Sequence, residues 1–234
     1  MAHHDASAIV LFTQWCIEAR VFERNPLAGL VVPKQPNNRR QPFADEDVRL
    51  ICKTARATGC GERDEAIVVT AIACGLRKEE LRQLYWPDDV DLARGFLYIR
   101  DRAAKTEASI RRVPLEREVI AILDAYIEEV RTSRRPGALF LNNHGDPLSP
   151  NGFSSIFRRL KGRLPLELDF KIHRARNTAI TNWLRTGNDL HTTMKLAGHK
   201  SPKVTERYAG EFSDEELKKL VRPSFGAIYG ERTA

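Results

Sequence analysis

Between Asp88 and Leu115 the apolar residues of this chain stop recurring every three or four positions. They fall instead into short β-branched or alternating runs: Val90-Asp-Leu92, Phe96-Leu-Tyr-Ile99 and Ile110-Arg-Arg-Val113. Strand side chains alternate between two faces, whereas one face of a helix is met every three to four residues, so a change of period marks a change of element. Three short strands are the simplest reading. On either side the helical spacing returns. Asp45, Glu46 and Asp47 place negative charge in the first turn of a helix running to about Ala57, where it suits the positive end of the helix dipole. Glu65 to Cys74 is a second, strongly apolar helix, and Gly75 suits its left-handed cap. Val119, Leu123, Tyr126, Ile127 and Val130 give Glu116 to Val130 one apolar stripe, closed by Arg134-Arg-Pro-Gly137. Ser149-Pro150 opens another helix with Phe153, Phe157 and Leu160 inward. Ser213-Asp-Glu-Glu216 is a capping box before a last helix to about Val221. Together these patterns predict a mainly α fold with one small antiparallel β-sheet, of the α+β class.

Residues 1–33 stand apart from this pattern. Ile9 to Phe22 is an apolar, helix-compatible stretch ended by Asn25-Pro26, and the polar segment 34–42 reads as a linker. One helix cannot form its own core, so the main domain is expected over 43–234. At 234 residues with 42% apolar content the chain can bury a full core in one domain plus an appendage. A net charge of +7 favours a polyanionic partner. The 38 basic and 31 acidic residues are spread widely, so charge alone leaves a ribosome-binding or merely soluble basic protein open. Cys16, Cys52, Cys60 and Cys74 form no CxxC pair and are expected as buried thiols of a reducing compartment. No apolar run approaches the roughly 18 residues of a membrane span. With no signal-peptide pattern after Met1, a soluble cytoplasmic protein without membrane contact is expected.

The densest chemistry lies between Lys171 and Tyr208. His173 and Arg176 are three apart, so a helix starting near Ile172 places them on one face. Gly198-His199 and Tyr208 flank a helix start at Ser201-Pro202. Taken singly, each residue has a bland explanation: Arg77 can pair with Glu80 one turn on, and Tyr208 can be a half-buried packing tyrosine. As an ordered set they suit a phosphodiester. A guanidinium grips two phosphate oxygens and stays protonated, while a phenol can attack phosphorus if a base or a positive field helps it ionise. The chain has no DxDxD, His-Glu-x-x-His or clustered carboxylates. Charge developing on phosphoryl oxygens is therefore expected to meet fixed cations, with neither metal nor cofactor.

Five stretches carry a resemblance. They are Ala73-Cys-Gly-Leu-Arg77-Lys-Glu-Glu80-Leu81, Lys105-Thr106 followed by Arg112-Val-Pro-Leu115, His173-Arg-Ala-Arg176, Leu196-Ala-Gly-His199 and Thr205-Glu-Arg-Tyr208. In this order the chain resembles the tyrosine recombinases, the phage-type integrase family. The resemblance implies the DNA breaking-rejoining catalytic-domain fold over 43–234, ending in a tail helix, with 1–33 as the last helix of a core-binding domain and 34–42 as linker. It implies a site-specific recombinase acting through a 3′-phosphotyrosyl intermediate. Tyr208 is then the nucleophile, Arg77 and Arg176 grip the phosphate, His173 is the base, His199 a phosphate donor, and Lys105 the acid for the departing 5′ hydroxyl. Two positions depart from the family pattern: Asn177 stands where a second His is usual and Ala175 where Leu is usual.

The implied partners are double-stranded DNA and further copies of the chain in a tetrameric synapse, with the Ser213 to Val221 helix docking on a neighbour. The isolated chain is expected as a monomer. Arg158, Arg159, Lys161, Arg163, Lys200 and Lys203 are expected on the DNA backbone, a solvated face being the alternative for the first four. Competing readings are a type IB topoisomerase, similar in fold and tyrosine chemistry, and a non-catalytic DNA-binding accessory built on the same fold.

Overall fold

The computed structural model describes residues 2–30, 41–103, 109–131 and 136–208. The chain divides into two compact units, Met1–Arg39 and Arg40–Ala234. The first is built on α1 (Ala2–Glu18), which starts before the expected Ile9 and stops short of Phe22. Arg20, just past its end, takes a left-handed φ of 55°. Within α1 the Thr13 hydroxyl donates to the Ile9 carbonyl at 2.6 Å, and the Phe12 and Trp15 rings stack.

The second unit is organised around α3 (Gly61–Cys74), which packs against α2 (Asp45–Arg56), α5 (Arg117–Ala125) and α7 (Ile172–Arg185). Ala66, Ile67, Val68, Thr70, Ala71 and Ile72 bury α3 on nearly every side, as expected of a helix apolar all round. The helix begins four residues before the expected Glu65 because its polar first turn is itself paired. Arg63 and Asp64, both buried, form an ion pair at 2.9 Å, and Asp64 also accepts from Thr58 at 2.9 Å.

The expected sheet is present. β2 (Val90–Asp91), β3 (Phe96–Ile99) and β4 (Arg111–Pro114) are antiparallel in that order, with Leu97 opposite Val113 and Ile99 opposite Arg111. Leu97, Ile99 and Val113 face the core. β4 starts one residue later than Ile110, which is half exposed. A second pairing, β1 (Tyr85–Trp86) with β5 (Gly137–Ala138), is absent from the sequence reading. Two-residue strands are too short to show a period. α4 (Lys78–Arg82) links α3 to β1. The helix expected from Glu116 to Val130 changes to π geometry over Tyr126–Val130. There the buried Tyr126 hydroxyl donates to the Leu139 carbonyl and accepts from the Leu141 N–H, each at 3.2 Å. Ser149 caps α6 (Pro150–Lys161) by accepting from the Gly152 N–H at 3.0 Å, and Phe153, Phe157 and Leu160 are buried as expected. α7, α8 (Leu190–Ala197) and α9 (Pro202–Thr205) follow, and a 3₁₀ turn over Glu206–Tyr208 ends the described chain.

Cys16 and Cys74 are buried as expected, but Cys52 and Cys60 are only half-buried. Burial pushes the Cys74 thiol up to about 12 and the Cys52 thiol to about 11, so both stay protonated. Cys60 instead donates to Asn143 at 3.1 Å. Among the described residues no helix is long and apolar enough to cross a membrane. The expected Ser213 to Val221 helix and the linker from Lys34 to Arg40 lie outside the described residues.

Gly75 closes α3 at φ 58°, and a Cβ there would stand 3.0 Å from Ala179 and 3.0 Å from the Trp183 ring, both on α7. Glycine is thus required twice, by conformation and by packing. Gly75→Ala is expected to destabilise the fold by roughly 1–2 kcal/mol from conformation alone, with crowding adding to it. Urea unfolding of the two chains measures the difference.

Candidate active site

α8 begins at Asp189, whose carboxylate accepts from the His191 and Thr192 N–H groups, and ends at Gly198 with φ 63°. The last carbonyls of a helix lack partners inside it and carry the negative end of its dipole. Here three successive carbonyls are each taken by a different arginine. Leu196 O accepts from Arg111 Nε at 2.6 Å, Ala197 O from Arg176 Nη2 at 2.5 Å, and Gly198 O from Arg77 Nη2 at 2.9 Å. The three guanidinium groups come from β4, α7 and the start of α4.

Glu80 joins them from beneath. Its side chain is 1% exposed and accepts from Arg111 Nη1 at 3.1 Å and Nη2 at 2.9 Å. It also accepts from Arg77 Nη1 at 2.6 Å and from the Arg77 backbone N–H at 2.8 Å. Arg176 Nη1 lies 3.9 Å from the same carboxylate and donates to the Gly75 carbonyl at 2.6 Å, which ties the end of α3 to the cluster. Burial alone would raise the Glu80 pKa. The bonds and charge of Arg111, with the bonds from Arg77, outweigh it and bring it down to about 2. Burial, then the charges of Arg77 and Arg111, lower Arg176 to about 10, so it remains protonated at neutral pH.

His199 follows Gly198 and is 9% exposed. Burial, then Arg176, Arg77 and Arg111, push its pKa down to about 4, which makes the imidazole neutral at pH 7. Its Nδ1 lies 2.8 Å from Thr205 Oγ1, and its ring stacks on that of Tyr208 with centroids 6.0 Å apart and 16° between planes. Tyr208 is half-buried and lies within electrostatic reach of Arg176.

Four of the six expected catalytic residues, Arg77, Arg176, His199 and Tyr208, therefore meet at the end of α8. His173 opens α7 one turn before Arg176 and is exposed. Lys105 lies outside the described residues, but the stem beside it is held. Ser109 Oγ accepts from Arg77 at 3.3 Å and Ser109 O from Arg111 at 2.9 Å. Sequence reasoning missed Arg111 as a member of the site, leaving it among several arginines near Lys105. The available signal was alternation: Arg111 shares a strand face with the inward Val113, whereas Arg112 points outward. The pairing of Arg77 with Glu80 and a place for Arg77 in the cluster are both realised.

The expected DNA-contact residues divide. Arg159 pairs with Asp64 at 2.7 Å, Lys161 with Asp169 at 2.8 Å, and Arg163 donates to the Ala57 carbonyl at 3.4 Å. These three meet acceptors of the protein itself, and all six residues, with Arg158, Lys200 and Lys203, are exposed. Ala175 is wholly buried, and among the described residues the buried Asn177 Oδ1 has no hydrogen-bond partner. Among the described residues no three His, Cys, Asp or Glu side chains gather as a metal site.

Residues 41–214 match the model of the phage integrase family. The tyrosine recombinase XerD of Listeria innocua is 30% identical over 193 residues, covering 80% of this chain and 63% of its own length. XerC of Chlamydia caviae is 28% identical over 207 residues, covering 86% of this chain and 64% of its own length. The chain thus spans less than two thirds of these relatives. Among solved structures, XerA recombinase has a TM-score of 0.64 at 22% identity, covering 97% of this chain and 74% of that one. The Tn1549 transposon integrase, in complex with a circular intermediate DNA, gives 0.72 at 16% identity over 92% of this chain and 76% of that one. At such identities the likeness is one of fold.

Glu80 makes acid stability a readout of the cluster. Its folded pKa lies below the unfolded value of 4.5. The stabilisation is therefore complete above that value and lost as pH falls toward about 2. Wild type is expected to exceed Glu80→Gln by on the order of 3 kcal/mol at pH 7. Urea unfolding at a series of acid pH values should show this gap narrowing through that window.

Proposed function

The chain belongs to the phage integrase family, and from that membership we propose that it is a site-specific recombinase. It cuts and rejoins strands of double-stranded DNA through a 3′-phosphotyrosyl intermediate. The observation that carries the reading is the convergence of Arg77, Arg176 and His199 on the end of α8, where the His199 ring stacks on Tyr208, with the guanidinium groups oriented before any substrate arrives. The recombinase names of the curated relatives support it.

In this mechanism Tyr208 Oη attacks the scissile phosphorus, the P–O5′ bond breaks, and a phosphotyrosyl bond forms at the 3′ side. The phenol proton passes to a base, the role given to His173. The departing 5′ oxygen takes a proton from Lys105. Arg77 and Arg176 bind the non-bridging oxygens and hold the charge that grows on them. Attack by a 5′ hydroxyl reverses the step and reseals a strand, the phosphotyrosyl bond having conserved the energy of the diester. Exposed Arg158, Lys200 and Lys203 are proposed to lie on the phosphate backbone. Several copies are proposed to assemble on DNA, and 1–33 is read as the last helix of a core-binding domain. Neither a topoisomerase nor a non-catalytic accessory has a specific observation in its favour.

Selection from a pool of random duplexes identifies a bound site, and a nicked version of it traps the intermediate. Peptide mapping is expected to find the adduct on Tyr208, with none in Tyr208→Phe. An adduct on Tyr229 would overturn the assignment. Arg77→Ala and Arg176→Ala are each expected to lose roughly 3 kcal/mol or more of transition-state stabilisation in single-turnover cleavage. The adduct should form equally well with chelator present; abolition by chelator and recovery with magnesium would contradict the fixed-cation reading.

A further inference from the structure

His199 and Thr205 are joined by one hydrogen bond, Nδ1 to Oγ1 at 2.8 Å, the only one either side chain makes among the described residues. Thr205 is fully buried at the end of α9, three residues before Tyr208. A neutral imidazole carries a single proton, and the bond made by one nitrogen decides which nitrogen holds it. Two arrangements are open. If Nδ1–H donates to Oγ1, the threonine hydroxyl hydrogen is left buried without an acceptor, which is unfavourable. If the threonine hydroxyl donates to the Nδ1 lone pair, its hydrogen is satisfied and the ring proton stands on Nε2.

We propose that Thr205 is a positioning residue whose buried hydroxyl donates to Nδ1 of His199. It thereby holds the imidazole as the Nε2–H tautomer and presents an N–H donor beside Tyr208 to a phosphate oxygen. The assignment rests on the phosphoryl-transfer reading of this site and deepens it. The same bond has a mechanical consequence. Thr205 and Tyr208 lie on one short helical segment, so anchoring Thr205 to His199 also anchors the nucleophile's segment to the arginine-bound end of α8. Thr205 stands in the stretch that carries Tyr208, and what its hydroxyl does there appears only when the two side chains are seen to meet.

Valine resembles threonine in shape but lacks the hydroxyl, and serine keeps the hydroxyl. The test uses the whole chain labelled with ¹⁵N-histidine, without DNA, at pH 7, where long-range ¹H–¹⁵N correlation reports each tautomer. Wild type and Thr205→Ser are expected to show His199 protonated at Nε2 and bare at Nδ1. Thr205→Val should shift toward the Nδ1–H form. On the nicked duplex selected above, Thr205→Val is expected to form the adduct about tenfold or more slowly at saturating DNA, with Kd within about threefold of wild type, and Thr205→Ser to recover most of the rate. A wild-type His199 found as the Nδ1–H tautomer or as imidazolium overturns the assignment. A folded Thr205→Val that keeps both the Nε2–H form and the wild-type rate does the same. Should Thr205→Val fail to fold, the wild-type spectrum and the Thr205→Ser rate decide the matter. If no duplex yields an adduct, the recombinase reading falls, and the wild-type tautomer still decides the place of Thr205.

Discussion

The end of α8 is where the structure's demands concentrate. A helix terminus leaves carbonyls that need donors, and here Leu196, Ala197 and Gly198 each receive one guanidinium, from Arg111, Arg176 and Arg77. A structural need and a chemical one are met by the same contacts. The carbonyls orient the arginines, and the arginines bring β4, α7 and α4 to one point. Gly198 belongs to the same constraint: its φ of 63° is left-handed, and a Cβ there would come within 2.9 Å of Arg111 Nη1, so a side chain would be strained and would displace that guanidinium.

Three guanidinium charges against one carboxylate would be an unstable grouping without good geometry. Burying charge is costly, and removing one partner of a buried set leaves the rest uncompensated. Glu80 offsets that cost with both oxygens bonded, and its pKa of about 2 records how strongly the cations favour the ionised form. The surplus positive charge then acts outward. Burial first, and this charge with it, lowers Arg176 and keeps His199 neutral. Such a site is preorganised for an anion with its donors already aligned, so little reorganisation remains when charge develops on a bound phosphoryl group.

Several basic residues illustrate why charge in a sequence is a poor guide to partners. Arg159, Lys161 and Arg163, at the end of α6 and just past it, are outward as read, and each also meets an acceptor elsewhere in the protein. Their partners Asp64 and Ala57 are distant in sequence from α6, and no periodicity reports them. Arg111 is the opposite case. Set beside Arg112 and the Lys105 hairpin it looked like one more surface cation, and only its pairing with Glu80, thirty-one residues away, makes it part of the site.

What the sequence by itself determined is what local rules govern. The periods of two and of three to four placed the sheet and most helices, Gly75 marked the end of α3, and the ordered boxes named Arg77, Arg176, His199 and Tyr208. The elements depend on neighbours within a turn or a strand, where backbone geometry dictates the pattern, whereas the four site residues were named by the family resemblance of the ordered boxes. The tertiary structure decided the rest: the π turn at Tyr126, the two-residue pairing of β1 with β5, the membership of Arg111, and the meeting of His199 with Thr205. Each of these follows from hydrogen bonds closed between separate segments once the core had packed. A hydrogen bond carries directional information over about 3 Å, and sequence spacing records which residues can reach a face but not which partners wait there.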